Sequence, residues 1–339
     1  METVTTKILP AEWNKQAFVQ LTWPHAGTDW AYMLEEVTAC FVQIAREICK
    51  RQQLLIVCAD KNQICRHFSA NELENIVFFE TQTNDTWARD HGAICVFENN
   101  KPVVYDFTFN GWGMKFAANY DNLITGKLAK AGFLNAYAYR NCLDFILEGG
   151  SIESDGAGTL LTTAPCLLSD NRNNAEKEVI EQKLKDYFGA KQVLWLNHGY
   201  LAGDDTDSHV DTLARLCPNN TIAYVKCDDK ADEHYEALLQ MENELKSFKT
   251  LEGESYRLIP LPMADAVYAD HERLPATYAN FLIINGAVLL PTYHSDKDAI
   301  AVEQMKAAFP EHQIVSIDCN ALIKQHGSLH CVTMQYPIF

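Results

Sequence analysis

The chain predicts an α/β fold assembled from recurring strand–helix–strand units. A turn residue followed by a short apolar run recurs at residues 92–96, 158–161, 220–224 and 286–290, with starts 66, 62 and 66 residues apart. Residues 17–21 supply an earlier member. Most of these runs are followed by a stretch with apolar residues three and four apart, then by a second β-rich run. No Gly/Ser- or Pro-rich linker divides the chain, so residues 1–339 read as one domain of about five β-β-α-β repeats.

In order, the strand at 17–21 leads to a helix over 28–51 and a strand at 54–57. The strand at 158–161 leads to a helix over 173–188 and a strand at 192–196. The strand at 220–224 leads to a helix over 232–248 and a strand at 256–260. The strand at 286–290 leads to a helix over 297–309 and a strand at 313–317. A period near 65 exceeds the usual solenoid unit, so each copy is a sheet plus a helix. Five copies predict a closed, pseudo-symmetric α/β assembly with strands nearest the axis. A doubly wound sheet gives the same alternation and stays open at this point.

A hydrophobic content of 47% is enough for a substantial core. The net charge of −17 repels phosphate backbones and argues against a nucleic-acid partner. No apolar run reaches the length of a membrane span, and residues 1–7 carry no signal-like pattern. The 11 cysteines include no Cys-x-x-Cys pair, which points to free thiols in a reducing compartment, the cytoplasm.

Reactive groups are scattered along the chain. Cys331 follows His330 near the C-terminus, and as strand neighbours the two would point apart, so His209 is the better partner for the thiol. His209 and Asp211 converge if their segment is extended and diverge on a helix; as an extended pair they are either a functional couple or two polar residues of a half-exposed strand facing water. Asp90 follows Arg89 and could anchor a cation or cap a turn, while Trp87 could stack on a planar cation or fill the core. Glu148 precedes Gly149-Gly150, where backbone can approach a ligand or simply turn. Asp204, Asp205, Asp207 and Asp211 form a dense acidic run that suits a hard cation or a cationic organic substrate, although the loop lacks the glycine and distal glutamate of a calcium loop.

Together, Trp87-Ala88-Arg89-Asp90, Glu148-Gly149-Gly150-Ser151, His209-Val210-Asp211, Asn280-Phe281 through Gly286, and His330-Cys331 with Thr333 resemble the agmatine deiminase family of the guanidine-modifying pentein superfamily. The likeness runs over most of the chain. It departs at His326-Gly327-Ser328, where a glycine triplet is usual, at Ser208, where glycine is usual, and at Met334-Gln335, where paired glutamines are usual. The resemblance implies a five-bladed α/β propeller with its site on the axis and no cofactor or metal. It implies hydrolysis of agmatine to N-carbamoylputrescine and ammonia, with Cys331 as nucleophile and His209, as imidazolium, as proton donor. Asp90 and Asp211 would hold the guanidinium, Glu148 would add a third contact, and Asp205 would take an acidic substrate-side position. A homodimer is a further implication. The competing readings are a peptidyl-arginine or other guanidine deiminase, a metal-dependent hydrolase using His209, Asp211 and the acidic run, and a binding protein for cations without turnover.

Overall fold

The structure is a computed structural model and describes residues 5–338. Its strands form five sheets that share one plan, plus a separate hairpin of Val267–Ala269 and Glu272–Leu274. In each sheet a first strand pairs antiparallel with a second, and the second pairs parallel with a third. The triplets are Ile94–Glu98, Lys101–Thr108 and Ala138–Ile146; Ile152–Ser154, Thr159–Thr163 and Gln192–Leu196; Ala214–Cys217, Thr221–Lys226 and Arg257–Pro262; and Leu282–Ile284, Ala287–Thr292 and Gln313–Asp318. The remaining sheet joins both ends of the chain. There Thr333–Pro337 pairs antiparallel with Gln16–Thr22, Thr333 opposite Leu21, and Gln53–Cys58 and Ile76–Glu80 follow in parallel.

Parallel neighbours need a crossover, and a helix supplies it in each case. Leu34–Cys49, Ile124–Lys130, Lys177–Phe188, Tyr235–Ser247 and Lys297–Ala308 each lie between the second and third strands of a sheet. The first of these buries Val37, Phe41, Ile44 and Ile48 along one stripe, the pattern of a helix laid on a sheet.

The helix expected over 173–188 begins at Lys177, because Asn173 instead clamps a strand end through hydrogen bonds with the Ile146 N–H and carbonyl. The helix expected over 28–51 is a 3-10 turn, Asp29–Met33, followed by Leu34–Cys49. The repeat marker at 92–96 needs correction. It falls on the first strand of its sheet, whereas the other four markers fall on second strands; its counterpart is Lys101–Thr108. That strand follows Asn99 and Asn100 at φ 48° and 62°. Asparagine makes this turn without the glycine that marks two of the other second strands.

Candidate active site

Five buried segments, each just ahead of the first strand of a sheet, meet in a ring. Three are short helical turns, Ala88–His91, Gly149–Ser151 and Val210–Thr212; the other two contain Asn280 and the His330-Cys331 pair. The Arg89 N–H donates to the Cys331 carbonyl at 3.1 Å. The His330 and Cys331 N–H groups donate to Asn280 Oδ1 at 2.9 and 3.3 Å, and Asn280 Nδ2 donates to the Asp211 carbonyl at 3.4 Å. Gly150 lies against His209 and Asp211, and its N–H donates to Asp90 Oδ1 at 3.1 Å, which returns the ring to its start. A Cβ on Gly150 would stand 2.6 Å from His209 Nδ1 and 2.9 Å from Asp90 Oδ1, so only glycine lets the two side chains come this close.

A cavity of about 180 Å³ opens over the ring, lined by Asp90, Cys331, Trp87, Trp112, Phe116 and Asp205 among others. A larger cleft of about 710 Å³ lies elsewhere, beside His25, Arg66 and His67, and none of the motif residues reaches it. The structure therefore brings Asp90, Cys331, Trp87 and Asp205 to one cavity. His209 and Asp211 are fully buried at its edge, in contact with Asp90 and Cys331 respectively.

His209 and Asp211 converge, though not by the extended geometry the sequence suggested. His209 precedes the 3-10 turn Val210–Thr212, and Val210 between them fills the core. Asp211 Oδ2 accepts from His330 Nδ1 at 2.7 Å and lies 4.0 Å from Cys331 Sγ, while its Oδ1 has no partner. Both ring nitrogens of His209 are also unpartnered; Nδ1 lies 3.6 Å from Asp90 Oδ1. Two reactive side chains beside the cavity, His209 and Asp211, thus keep three polar atoms without a partner. Buried polar atoms are rarely left so, and a site awaiting a polar ligand is a physical reason for the exception.

Burial pulls His209 down to about 3, outweighing the opposing charge of Asp211. Burial thus favours the neutral imidazole in the empty site near pH 7. Burial, then the charges of Asp211 and Asp90, push the Cys331 thiol well up. Burial and the nearby Asp211 raise Asp90 well above the usual carboxylate range. Burial would raise Asp211 too, but the hydrogen bond and charge of His330 bring it below that range. The two carboxylates that flank the cavity thus differ in how readily they carry charge.

Both oxygens of Glu148 accept from Arg172 Nε, at 2.9 and 3.0 Å, and like His209 and Asp211 it is fully buried and does not itself line the cavity. Trp87 packs against Trp30, with ring centroids 5.7 Å apart. The acidic run is dispersed. Asp204 accepts from Thr206 and Ser208 of its own loop, Asp207 pairs with Lys115 and Arg172 at 2.7 Å each, and Asp205 is left at the cavity mouth. The oxygens of Asp204 and Asp207 are thus engaged by their own loop and by two cationic side chains, which argues against a calcium loop here. Glu148, Cys166 and His209 carry ligand-type atoms close enough to share an ion, but the Arg172 guanidinium on Glu148 opposes a second cation there.

Sequence reasoning missed Trp112, Arg172 and Glu12 as parts of the site and singled out Asn280 only as a motif residue. The Gly111-Trp112-Gly113 string was the available signal for Trp112, since its flanking glycines permit the left-handed backbone found there. Ser208 and His326, two of the positions where glycine is usual in the resembled family, stand at φ 66° and 65°.

Residues 8–337 match the family model described as Porphyromonas-type peptidyl-arginine deiminase. A putative agmatine deiminase of Vibrio parahaemolyticus is 32% identical over 353 residues, which cover 97% of this chain and 96% of that protein. Among solved structures, a putative arginine deiminase from Porphyromonas gingivalis superposes with a TM-score of 0.94 at 52% identity, covering 98% of each chain. An agmatine deiminase of C. jejuni with substrate bound superposes with a TM-score of 0.92 at 39% identity, covering 98% of this chain and 96% of that one. These likenesses assign the chain the pentein fold.

Proposed function

The chain belongs to the Porphyromonas-type peptidyl-arginine deiminase family, and from that premise we propose that it is an agmatine deiminase, hydrolysing the guanidinium of agmatine to N-carbamoylputrescine and ammonia through a covalent adduct on Cys331. One observation carries the reading. The Cys331 thiol and Asp90 line one cavity, and buried directly beside them are an imidazole with two unpartnered nitrogens and a carboxylate oxygen without a partner.

In this reading the flat guanidinium donates to Asp211 Oδ1 and to the remaining lone pairs of Asp90, a match of planar forks to carboxylates. The Cys331 thiol gives its proton to neutral His209, and the sulfur bonds to the central carbon. His209 returns that proton to an amino group, which leaves as ammonia when the C–N bond breaks, so a thiouronium remains. Water then adds to the carbon with His209 as base and the C–S bond breaks. Of the added water's two protons, one returns to Cys331 through His209 and the other is released to solvent with the neutral ureido product, where the ammonia takes it up. Asp205 at the mouth attracts the distal ammonium. Glu148, held by Arg172, packs behind His209.

The ring of contacts supports two structural proposals. The five sheets are blades of a closed propeller with the site on its axis, and residues 1–339 form one catalytic domain. A cytoplasmic location and a homodimer are part of the same reading. No helix among the described residues is long and apolar enough to cross a membrane.

The family's own description keeps a second substrate class in view, a peptidyl arginine or another guanidine. Incubation with agmatine, free arginine and a peptidyl-arginine substrate, followed by a ureido assay, decides between them. Ureido product from agmatine alone is expected, and product from the peptide alone would move the substrate assignment while keeping the chemistry. Activity lost to a chelator and restored by metal would reject the thiol route.

A further inference from the structure

We propose that His330 is a positioning residue, a buried imidazolium that bridges the N-terminal segment to the substrate-facing carboxylate and turns the free oxygen of Asp211 toward the cavity. The inference rests on the reading of Asp211 as a guanidinium anchor and extends it to residues outside that role. His330 is almost fully buried. Its Nδ1 lies 2.7 Å from Asp211 Oδ2, and its Nε2 lies 2.7 Å from Glu12 Oε2, a carboxylate 318 residues away in sequence. An ionised carboxylate only accepts hydrogen bonds, and an imidazole donates from both nitrogens only when protonated.

The charge balance of the cluster points the same way. Glu12, Glu153 and Asp211 supply three carboxylates, and Arg89 and Arg215 supply two guanidiniums. Arg215 donates Nε to Glu153 at 2.6 Å and Nη2 to Glu12 at 2.8 Å; Arg89 Nη2 lies 3.9 Å from Glu12. One positive charge is missing from a fully buried set, and His330 as imidazolium supplies it. Arg215 Nη2 also lies 3.0 Å from His330 Nε2. Two donors then face each other with Glu12 Oε2 between them, an arrangement that works because this oxygen accepts from both.

The consequence falls on Asp211. Its Oδ2 is fixed by His330, which leaves the unpartnered Oδ1 as the oxygen available to a ligand. Neighbours in sequence thus divide the work, Cys331 facing the cavity and His330 facing the charge cluster behind it.

Two substitutions separate the bonds of the bridge. The amide nitrogen of asparagine overlays Nδ1 of histidine, so His330→Asn keeps a donor for Asp211 and drops Glu12. The amide nitrogen of glutamine overlays Nε2, so His330→Gln keeps the Glu12 side and drops Asp211. The measurement is kcat/KM for agmatine, with direct agmatine binding to Cys331→Ser carrying each change. His330→Gln is expected to lose roughly 10- to 100-fold more than His330→Asn in both, the effect of removing one hydrogen bond to a charged group. Equal values for the two variants, high or low, or the reverse order, would overturn the proposal. In the unsubstituted protein, nitrogen-15 spectra of labelled histidine should show one buried ring carrying a proton on each nitrogen. Absence of that signal overturns the proposal even if neither variant folds. A failure of the deiminase reading would instead appear as Cys331→Ala retaining turnover.

Discussion

Trp112 donates its indole N–H to Asp90 Oδ2 at 2.9 Å from a backbone at φ 54°. A tryptophan in the left-handed region costs about 1–2 kcal/mol relative to ordinary backbone, so surrounding structure holds it there. Asn110 Oδ1 accepts from Gly113 N, and Lys115 reaches Asp207 and the Asp205 carbonyl. The indole helps keep Asp90 ionised in a site where burial works against it. Trp112→Phe is therefore expected to lower kcat/KM for agmatine roughly 10- to 100-fold, with a larger deficit at lower pH, where Asp90 then protonates more readily. A pH-independent loss, or none, would remove Trp112 from this role.

Cys331 is expected to react slowly with iodoacetamide at pH 7 in the empty protein, because burial and two carboxylates hold its proton. Labelling should accelerate as pH rises through and beyond the ordinary thiol range near about 8.5. A small guanidinium bound beside the thiol should raise the thiolate fraction. Mass-spectrometric mapping of the labelled cysteine across pH, with methylguanidine small enough to leave the sulfur open, measures both effects.

Asp205→Asn is expected to raise KM for agmatine by roughly 2- to 5-fold with little change in kcat, and to leave a guanidine without a distal amine unaffected. The carboxylate is partly exposed at the cavity mouth, where a solvent-screened attraction is worth at most about 1 kcal/mol. Steady-state kinetics on the two substrates give the comparison.

Two buried histidines should weaken the fold as the pH falls below about 6.5. His91 and His209 are buried and held at about 3, burial being the leading cause for both. The unfolded chain binds their protons below about 6.5 while the folded one does not. The stability they confer is complete above about pH 6.5 and is lost as pH falls toward 3. Each contributes a slope of about 1.4 kcal/mol per pH unit in that window. Urea midpoints between pH 8 and 5 test the slope, and His91→Asn should reduce it by one proton.

Ser208→Gly should stabilise the fold by up to about 1 kcal/mol, since Ser208 stands at φ 66° and glycine adopts that backbone without a Cβ penalty. Its two hydrogen bonds to the chain, N–H to Asp204 Oδ2 and carbonyl from Thr163 Oγ1, are made by backbone atoms and survive the change. Thermal unfolding at pH 7.5 is the check.

Much of this was legible in the chain. Apolar spacing marked four of the five crossover helices, Ile124–Lys130 excepted, and the second and third strands of four sheets to within a few residues, because burial of one face leaves a local record in sequence. The motifs at Trp87–Asp90, Glu148–Gly150, His209–Asp211 and His330-Cys331 named the groups that surround the site, because each motif occupies a single turn. What no local pattern carried was the partner of each group. Glu148 went to Arg172, Asp204 and Asp207 were spent within and beside their own loop, and burial favoured the neutral form of His209. Glu12 reached His330 because the two ends of the chain share one sheet. Sequence by itself determined which turns and which reactive groups exist; only the tertiary structure decided which valences are filled and which charges persist. Those outcomes depend on distance and desolvation, which the order of residues along the chain does not encode.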